Sequence, residues 1–151
     1  MKAPFLIGRI LFGSFFIKSG IDHLLNRKSM ASSVESKGIP NGELAVAATA
    51  VPLIVGGTSV LLGTKPKWGA LAIIGFLAGV SPIMHNFWSD EDPQKKQQNM
   101  IDFAKNVALA GGALALMGID EPWEASVSPT KPGIMERVAD KVKEASQKIA
   151  A

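Results

Sequence analysis

Four long stretches of the chain are almost entirely apolar, and short polar segments separate them. The stretches run over about 4–25, 44–62, 68–88 and 100–119. A helix needs about 20 apolar residues to cross a bilayer core of roughly 30 Å, and each stretch is close to that length. Trp68 and Trp88 bracket the third stretch, as expected for indoles at the two membrane interfaces. The pattern therefore predicts an all-α fold built as a four-transmembrane-helix bundle.

A different pattern follows the fourth stretch. Apolar residues recur there at intervals of three and four, which is typical of an amphipathic helix: Ile134, Val138, Val142, Ala145 and Ile149. Prolines at 122, 129 and 132 precede this pattern. We therefore divide the chain into a membrane domain at 1–120, a linker at 121–133 and a C-terminal amphipathic helix at 134–151. That tail helix either lies in solvent or at the membrane surface, or docks on a partner subunit or anionic lipid.

Composition narrows the chemistry that the chain can perform. The 151 residues include no cysteine, which excludes disulfides, thiolate metal sites and thiol redox relays. No nucleophile elbow, phosphate-binding loop or dinucleotide fingerprint is present, so we assign no catalytic residue. Several of the lysines behind the net charge of +3 lie in the tail and others flank the apolar stretches, which favours the lipid bilayer rather than nucleic acid as the partner.

Glycines recur inside the apolar stretches, where small residues let membrane helices approach closely. We expect close helix packing at all of them: Gly8, Gly13, Gly56, Gly57, Gly75, Gly79, Gly111 and Gly112.

Polar residues gather at one predicted end of the bundle. Ionisable side chains inside a span cost roughly 3 kcal/mol or more near the bilayer centre, so each needs a partner or a purpose. Because the spans alternate in direction, the ends of the first and third spans and the start of the fourth share one membrane face. This polar cluster comprises Lys18, Asp22, His23, His85, Asn86, Trp88, Asp102, Lys105 and Asn106.

The polar cluster has two interpretations. It is either a structural network of salt bridges and hydrogen bonds between helices, or a vestibule in which His23 and His85 bind a ligand headgroup, a quinone carbonyl or protons. The histidine spacing does not match a metal site, and none is predicted. Arg9, near the opposite face, is predicted to reach lipid phosphate.

Several segments resemble the DoxX family of membrane proteins. The similarity begins with Gly8-Arg9-Ile10-Leu11-Phe12-Gly13 and continues through His23-Leu24, Val55-Gly56-Gly57 and Trp68-Gly69-Ala70-Leu71. Its most specific block is His85-Asn86-Phe87-Trp88 followed by Lys105-Asn106-Val107-Ala108-Leu109 and Gly111-Gly112. The resemblance covers about 8–116. Many members carry an acidic residue shortly before the second-span glycine pair, whereas this chain has Pro52-Leu53-Ile54-Val55 there.

The resemblance implies a four-helix protein of the bacterial inner membrane. Members of the family have been linked to thiosulfate:quinone oxidoreductase and to membrane assemblies that handle oxidative stress. We expect the termini to be cytoplasmic if the distal tail is included in the count of basic residues, although residues close to the spans alone do not favour this orientation.

Three functional hypotheses follow. The favoured one is a non-catalytic or accessory subunit of a larger membrane complex, with redox chemistry as a candidate role and no cofactor of its own. Other membrane-protein subunits or further copies of this chain would be its partners. The alternative is a quinone-linked oxidoreductase subunit, in which His23, His85 and Lys105 line a headgroup pocket. A carrier of small molecules or protons is the third.

Overall fold

Five α-helices make up most of the computed structural model, which describes residues 3–123 and 125–127. In chain order they are α1 (Ala3–Leu25), α2 (Arg27–Glu35), α3 (Gly42–Leu62), α4 (Pro66–Met84) and α5 (Pro93–Met117). A short 3-10 turn at Phe87–Ser89 lies between α4 and α5. The described residues contain no strand, so the predicted all-α class is confirmed. The predicted tail helix at 134–151 lies outside the described residues.

Within the described residues, four segments are long and apolar enough to cross a membrane. They are Ala3–Leu25, Gly42–Leu62, Pro66–Ser89 and Pro93–Met117, so the predicted four-transmembrane-helix bundle is confirmed. Large apolar side chains point outward from these helices: Leu11 is 65% exposed, Val55 61% and Leu114 58%. Such surfaces are stable against lipid tails but not against water. The chain is therefore a multi-pass membrane protein.

The bundle is built around α3. Helix α1 packs along one side of α3 and α4 along another, while α5 packs on α4. Direct backbone contact between α1 and α5 is slight, so the bundle is more open along that edge. The buried core consists of Phe16, Leu53, Val60, Ala70, Ile73, Leu77, Ala113 and Trp123.

Two glycine contacts set the closest helix approaches. A Cβ on Gly57 would lie 2.8 Å from the carbonyl oxygen of Gly13, and a Cβ on Gly13 would lie 2.8 Å from that of Gly57. Gly56 and Gly69 make the same kind of contact between α3 and α4, at 2.8 Å and 2.7 Å from each other's oxygens. The expected close packing is wrong for four glycines, around which a Cβ would meet no other atom of the described residues within 4 Å: Gly8, Gly75, Gly79 and Gly111.

The polar ends of α4 and α5 differ from the apolar stretches. Helix α4 ends at Met84 rather than near 88, because His85 leaves the helix with φ −116° and ψ 49°. Helix α5 begins at Pro93 rather than near 100, because the Asp92 side chain caps it by accepting from the Gln94 N–H at 2.9 Å. Apolarity marks the part of a helix inside the bilayer, whereas caps set where the helix begins.

Helix α2 has no counterpart among the predicted elements, because its sequence is polar. Ala31 of α2 is buried. The Ala31 backbone lies so close to α3 that a Cβ added to Gly42 would clash with the Ala31 carbonyl group. The Glu35 carboxylate accepts from the Gly42 N–H at 2.9 Å. These contacts hold α2 across the start of α3.

The segment after α5 packs back onto the end of the bundle that holds the start of α1. Trp123 is 3% exposed, and its ring meets that of Phe5 edge-on at a centroid distance of 5.2 Å. The Val127 N–H donates to the Leu62 carbonyl oxygen at 2.9 Å. The described part of the predicted linker is thus docked on the membrane domain.

Candidate functional site

A cavity of about 350 Å³ lies between the helices at the end where α1 and α4 terminate. All five helices and the α2–α3 loop contribute to its wall. Most of the lining is apolar: Phe15, Phe16, Met30, Val34, Ile39, Ala45, Val46, Leu53, Phe76, Leu77, Val80, Ile83, Met84 and Leu109. The polar lining residues are Ser19, His23, Thr49, His85, Lys105 and Asn106. The cavity is therefore an apolar chamber with a small number of polar groups, as in small-molecule sites generally.

His23 reaches the cavity from the last turns of α1. Its Nδ1 lies 2.7 Å from the Thr49 hydroxyl oxygen on α3, and that hydroxyl in turn donates to the Val46 carbonyl oxygen at 2.6 Å. The ring also meets the Phe76 ring of α4 at a centroid distance of 6.0 Å. Contacts from α3 and α4 thus hold the His23 ring in one orientation.

His85 reaches the cavity because α4 ends just before it. Its Nδ1 lies 3.4 Å from Asn99 Oδ1 on α5. The Asn99 amide donates through Nδ2 to the Asp90 carboxylate at 2.7 Å. Neither Asn99 nor Asp90 lines the cavity, so they support His85 from behind.

Asn106 is the most buried polar side chain of the site. It is 9% exposed and lines the cavity from α5. Within the part of the chain that the structure describes, its amide makes no hydrogen bond. Its oxygen and nitrogen are not among the fully buried unpaired atoms of the described residues, so they are accessible from the cavity. An amide in this position is suited to a bound molecule or water.

The structure brings together four members of the polar cluster and leaves the others outside the cavity wall. Those that line the cavity are His23, His85, Lys105 and Asn106, and those that do not are Lys18, Asp22, Asn86, Trp88 and Asp102.

Ion pairs at the surface account for most of the charged members. Lys18 pairs with Asp22 one turn away on α1, and both side chains are exposed. Lys105 Nζ lies 2.7 Å from Asp102 Oδ1, and Gln98 donates to the other oxygen of Asp102 at 3.0 Å. Such exposed pairs contribute about 0–1 kcal/mol each. They neutralise lysines near the interface, and of the four paired residues Lys105 also lines the cavity.

The remaining two members lie in the α4–α5 connection. Asn86 accepts a hydrogen bond from Lys37, which ties this connection to the α2–α3 loop. Trp88 packs against Phe87 and Phe103, at centroid distances of 5.2 Å and 6.0 Å. Both residues have a structural partner.

Arg9 does not reach the lipid, and that prediction is wrong. The side chain is 3% exposed, its Nη2 donates to the Ala125 carbonyl oxygen at 3.1 Å, and its guanidinium carbon lies 5.9 Å from the Trp123 ring centroid. The sequence held a signal for this placement, since Arg9 falls in register with Gly13 and Phe16 on the stripe of α1 that faces the bundle.

Sequence reasoning missed the residues that orient the two histidines. Thr49 occupies an apolar span, and Asn99 and Asp90 lie before the fourth apolar stretch, so none stood out by pattern. It also missed Met30 and Val34 of α2, which line the cavity. Among the described residues there is no group of three or more histidine and acidic residues placed to hold a metal ion.

Fold and site together define a multi-pass membrane bundle with a polar-tipped cavity between its helices. The DoxX family model matches residues 5–86. The chain is also 30% identical, over 122 residues, to inner membrane protein YphA of Escherichia coli strain K12; the alignment covers 81% of this chain and 86% of that protein. The chain belongs to the DoxX family. No solved structure matches it.

Proposed function

We propose that this protein is an accessory subunit of a larger membrane complex and that it binds a quinone-type ring in its cavity. The observation that carries the proposal is Asn106, a residue only 9% exposed, whose amide lines the apolar cavity and makes no hydrogen bond among the described residues. His23 and His85 add one ring nitrogen each. The cavity volume of about 350 Å³ lies in the range of about 300–1,000 Å³ that small-molecule sites occupy.

The accessory role is proposed because the chain offers few groups that could carry electrons. The sequence has no cysteine, and the described residues hold no candidate metal cluster. Apolar walls with a few polar groups at one end suit a lipid-soluble ring. We therefore assign ring binding to this chain and electron transfer to other subunits of the complex.

The first test is a binding measurement on the purified protein in dodecyl maltoside. Decylubiquinone and decylubiquinol, a short-chain quinone and its reduced form, are titrated while the melting temperature is followed. Lipid extracted from the protein as isolated is analysed by mass spectrometry for bound quinone. Binding of at least one form in a one-to-one ratio supports the proposal. Failure of both forms to bind, together with no quinone in the extract, would overturn it.

A pair of asparagine variants locates the binding. Asn106→Leu should weaken ring binding about two- to twelvefold, because it removes one hydrogen bond worth about 0.5–1.5 kcal/mol. Asn86→Leu is the matched control, since Asn86 lies nearby in the same polar cluster but outside the cavity wall. Equal loss in the two variants would place the ring elsewhere.

The same proposal places the protein in the bacterial inner membrane with both ends of the membrane domain in the cytoplasm. Four spans return the chain to the side on which it started. Support for the cytoplasmic side comes from five basic residues in the tail: Lys131, Arg137, Lys141, Lys143 and Lys148. The cavity would then lie toward the periplasmic face. A C-terminal fusion should be active with green fluorescent protein and inactive with alkaline phosphatase, and the reverse pattern would invert this orientation.

A further inference from the structure

The hydrogen bonds around His23 determine which ring nitrogen a ligand meets. The Thr49 hydroxyl donates its hydrogen to the Val46 carbonyl oxygen at 2.6 Å, so its oxygen accepts from His23 Nδ1 at 2.7 Å. A neutral imidazole carries one N–H donor and one acceptor nitrogen. With the hydrogen on Nδ1, the Nε2 of His23 is a hydrogen-bond acceptor.

His85 is held in the same tautomer by a different pair of residues. The Asp90 carboxylate only accepts hydrogen bonds, so the Asn99 amide must turn its NH2 toward it, at 2.7 Å. The Asn99 oxygen consequently faces His85 Nδ1 at 3.4 Å and accepts from it. Neutral His85 therefore also leaves Nε2 as an acceptor.

The remaining polar groups of the cavity wall offer both acceptors and donors. The Ser19 hydroxyl donates to the Phe15 carbonyl oxygen at 2.9 Å, which leaves its oxygen lone pairs for the cavity. The Lys105 ammonium donates to the Asp102 carboxylate at 2.7 Å, which leaves two of its three N–H donors. Asn106 offers both an NH2 group and an oxygen. The lining thus presents both kinds of group, and the two histidine nitrogens are the acceptors whose tautomer is set by neighbouring residues.

We propose that the cavity selects the reduced, hydroxyl-bearing form of a quinone-type ring, because His23 and His85 both present acceptor nitrogens to it. This inference rests on the proposed function and specifies its ligand. Hydroxyl groups of a quinol donate to Nε2 of either histidine, whereas the carbonyl oxygens of a quinone would place lone pair against lone pair. The site therefore prefers the quinol.

The test compares three ligands of nearly equal size on the unmodified protein in dodecyl maltoside. Decylubiquinol, decylubiquinone and the dimethyl ether of decylubiquinol are titrated at pH 8, which favours neutral imidazoles. We expect the quinol to bind about tenfold more tightly than the other two, the factor that corresponds to about 1.4 kcal/mol. Because the ether keeps the ring but lacks the O–H donors, it separates hydrogen bonding from redox state.

The outcomes separate this inference from the proposed function. If the quinone or the ether binds as tightly as the quinol, the proposed preference of the cavity for a ring with hydroxyl donors is refuted, while the proposal that the cavity binds a ring still holds. If none of the three binds, the proposed function itself fails.

Variants behind the histidines test Asn99 and Thr49 as positioning residues. Asn99→Leu and Thr49→Val free the histidine tautomers, so the quinol preference should fall toward equality, partly because quinone binding improves. Thr49→Ser is the control, because it keeps the hydroxyl and should keep the preference. A preference that survives Asn99→Leu combined with Thr49→Val would refute the tautomer argument.

Discussion

Replacing Gly57 by alanine tests the closest helix contact of the bundle. The new Cβ would lie 2.8 Å from the Gly13 carbonyl oxygen and 3.0 Å from both the backbone nitrogen and Cγ1 of Ile17. Ordinary Cβ contacts begin near 3.4 Å, and a backbone atom cannot turn aside as a side chain can. Helices α1 and α3 would have to separate by roughly half an ångström, which weakens dispersion contacts along their whole interface.

The magnitude follows from two opposing effects. Overpacking of a tight contact costs about 1–3 kcal/mol, whereas alanine in place of glycine stabilises a helix by up to about 1 kcal/mol. Gly75→Ala is the matched control, because Gly75 lies inside α4 with nothing within 4 Å of a Cβ. The two variants share the helix-propensity gain, so the difference between their free energies of unfolding isolates the steric cost.

The assay is equilibrium unfolding in mixed micelles of dodecyl maltoside and increasing dodecyl sulfate, followed by circular dichroism. We expect Gly57→Ala to be less stable than Gly75→Ala by about 1–3 kcal/mol. Equal stabilities would refute the inferred contact between Gly13 and Gly57, and with it the packing of α1 on α3.

Three further predictions use the same unfolding assay. Arg9→Met should lower the free energy of unfolding by about 1–3 kcal/mol, since Arg9 is 3% exposed and hydrogen-bonded to Ala125, and it should expose the segment after α5 to protease. The exposed Arg27→Met is the control. Equal protease resistance of the two variants would contradict the inference that Arg9 holds this segment on the bundle. Lys18→Ala should change stability by less than about 0.5 kcal/mol, because its ion pair is exposed, and a loss above about 1 kcal/mol would show that the pair is structural. Ile73→Ala, at a fully buried position, should lower the free energy of unfolding by about 2–5 kcal/mol. Leu71→Ala, on the exposed face of α4, should lower it far less. Similar losses in the two variants would mean that Ile73 does not belong to the buried core.

The apolar stretches were sufficient to predict the class and number of spans. Inside a bilayer every backbone polar group must be bonded within the chain, so apolar runs of this length form helices whatever their neighbours do. The position of the polar cluster at one end followed from the alternating direction of the spans. Helix α2 escaped prediction because it is polar. Its place is set by contacts of its own Ala31 and Glu35 with Gly42 at the start of α3.

Which residues line the cavity could be decided only from the folded bundle. Asp22 and His23 are neighbours in sequence, yet Asp22 pairs with Lys18 at the surface while His23 faces the cavity. Successive residues of a helix point about 100° apart, so the rotation of α1 against α3, set by the crossing at Gly13 and Gly57, decides which of the two enters the interior. The apolarity of α1 alone does not fix that rotation. The same rotation turns Arg9 inward, where its guanidinium meets the segment after α5.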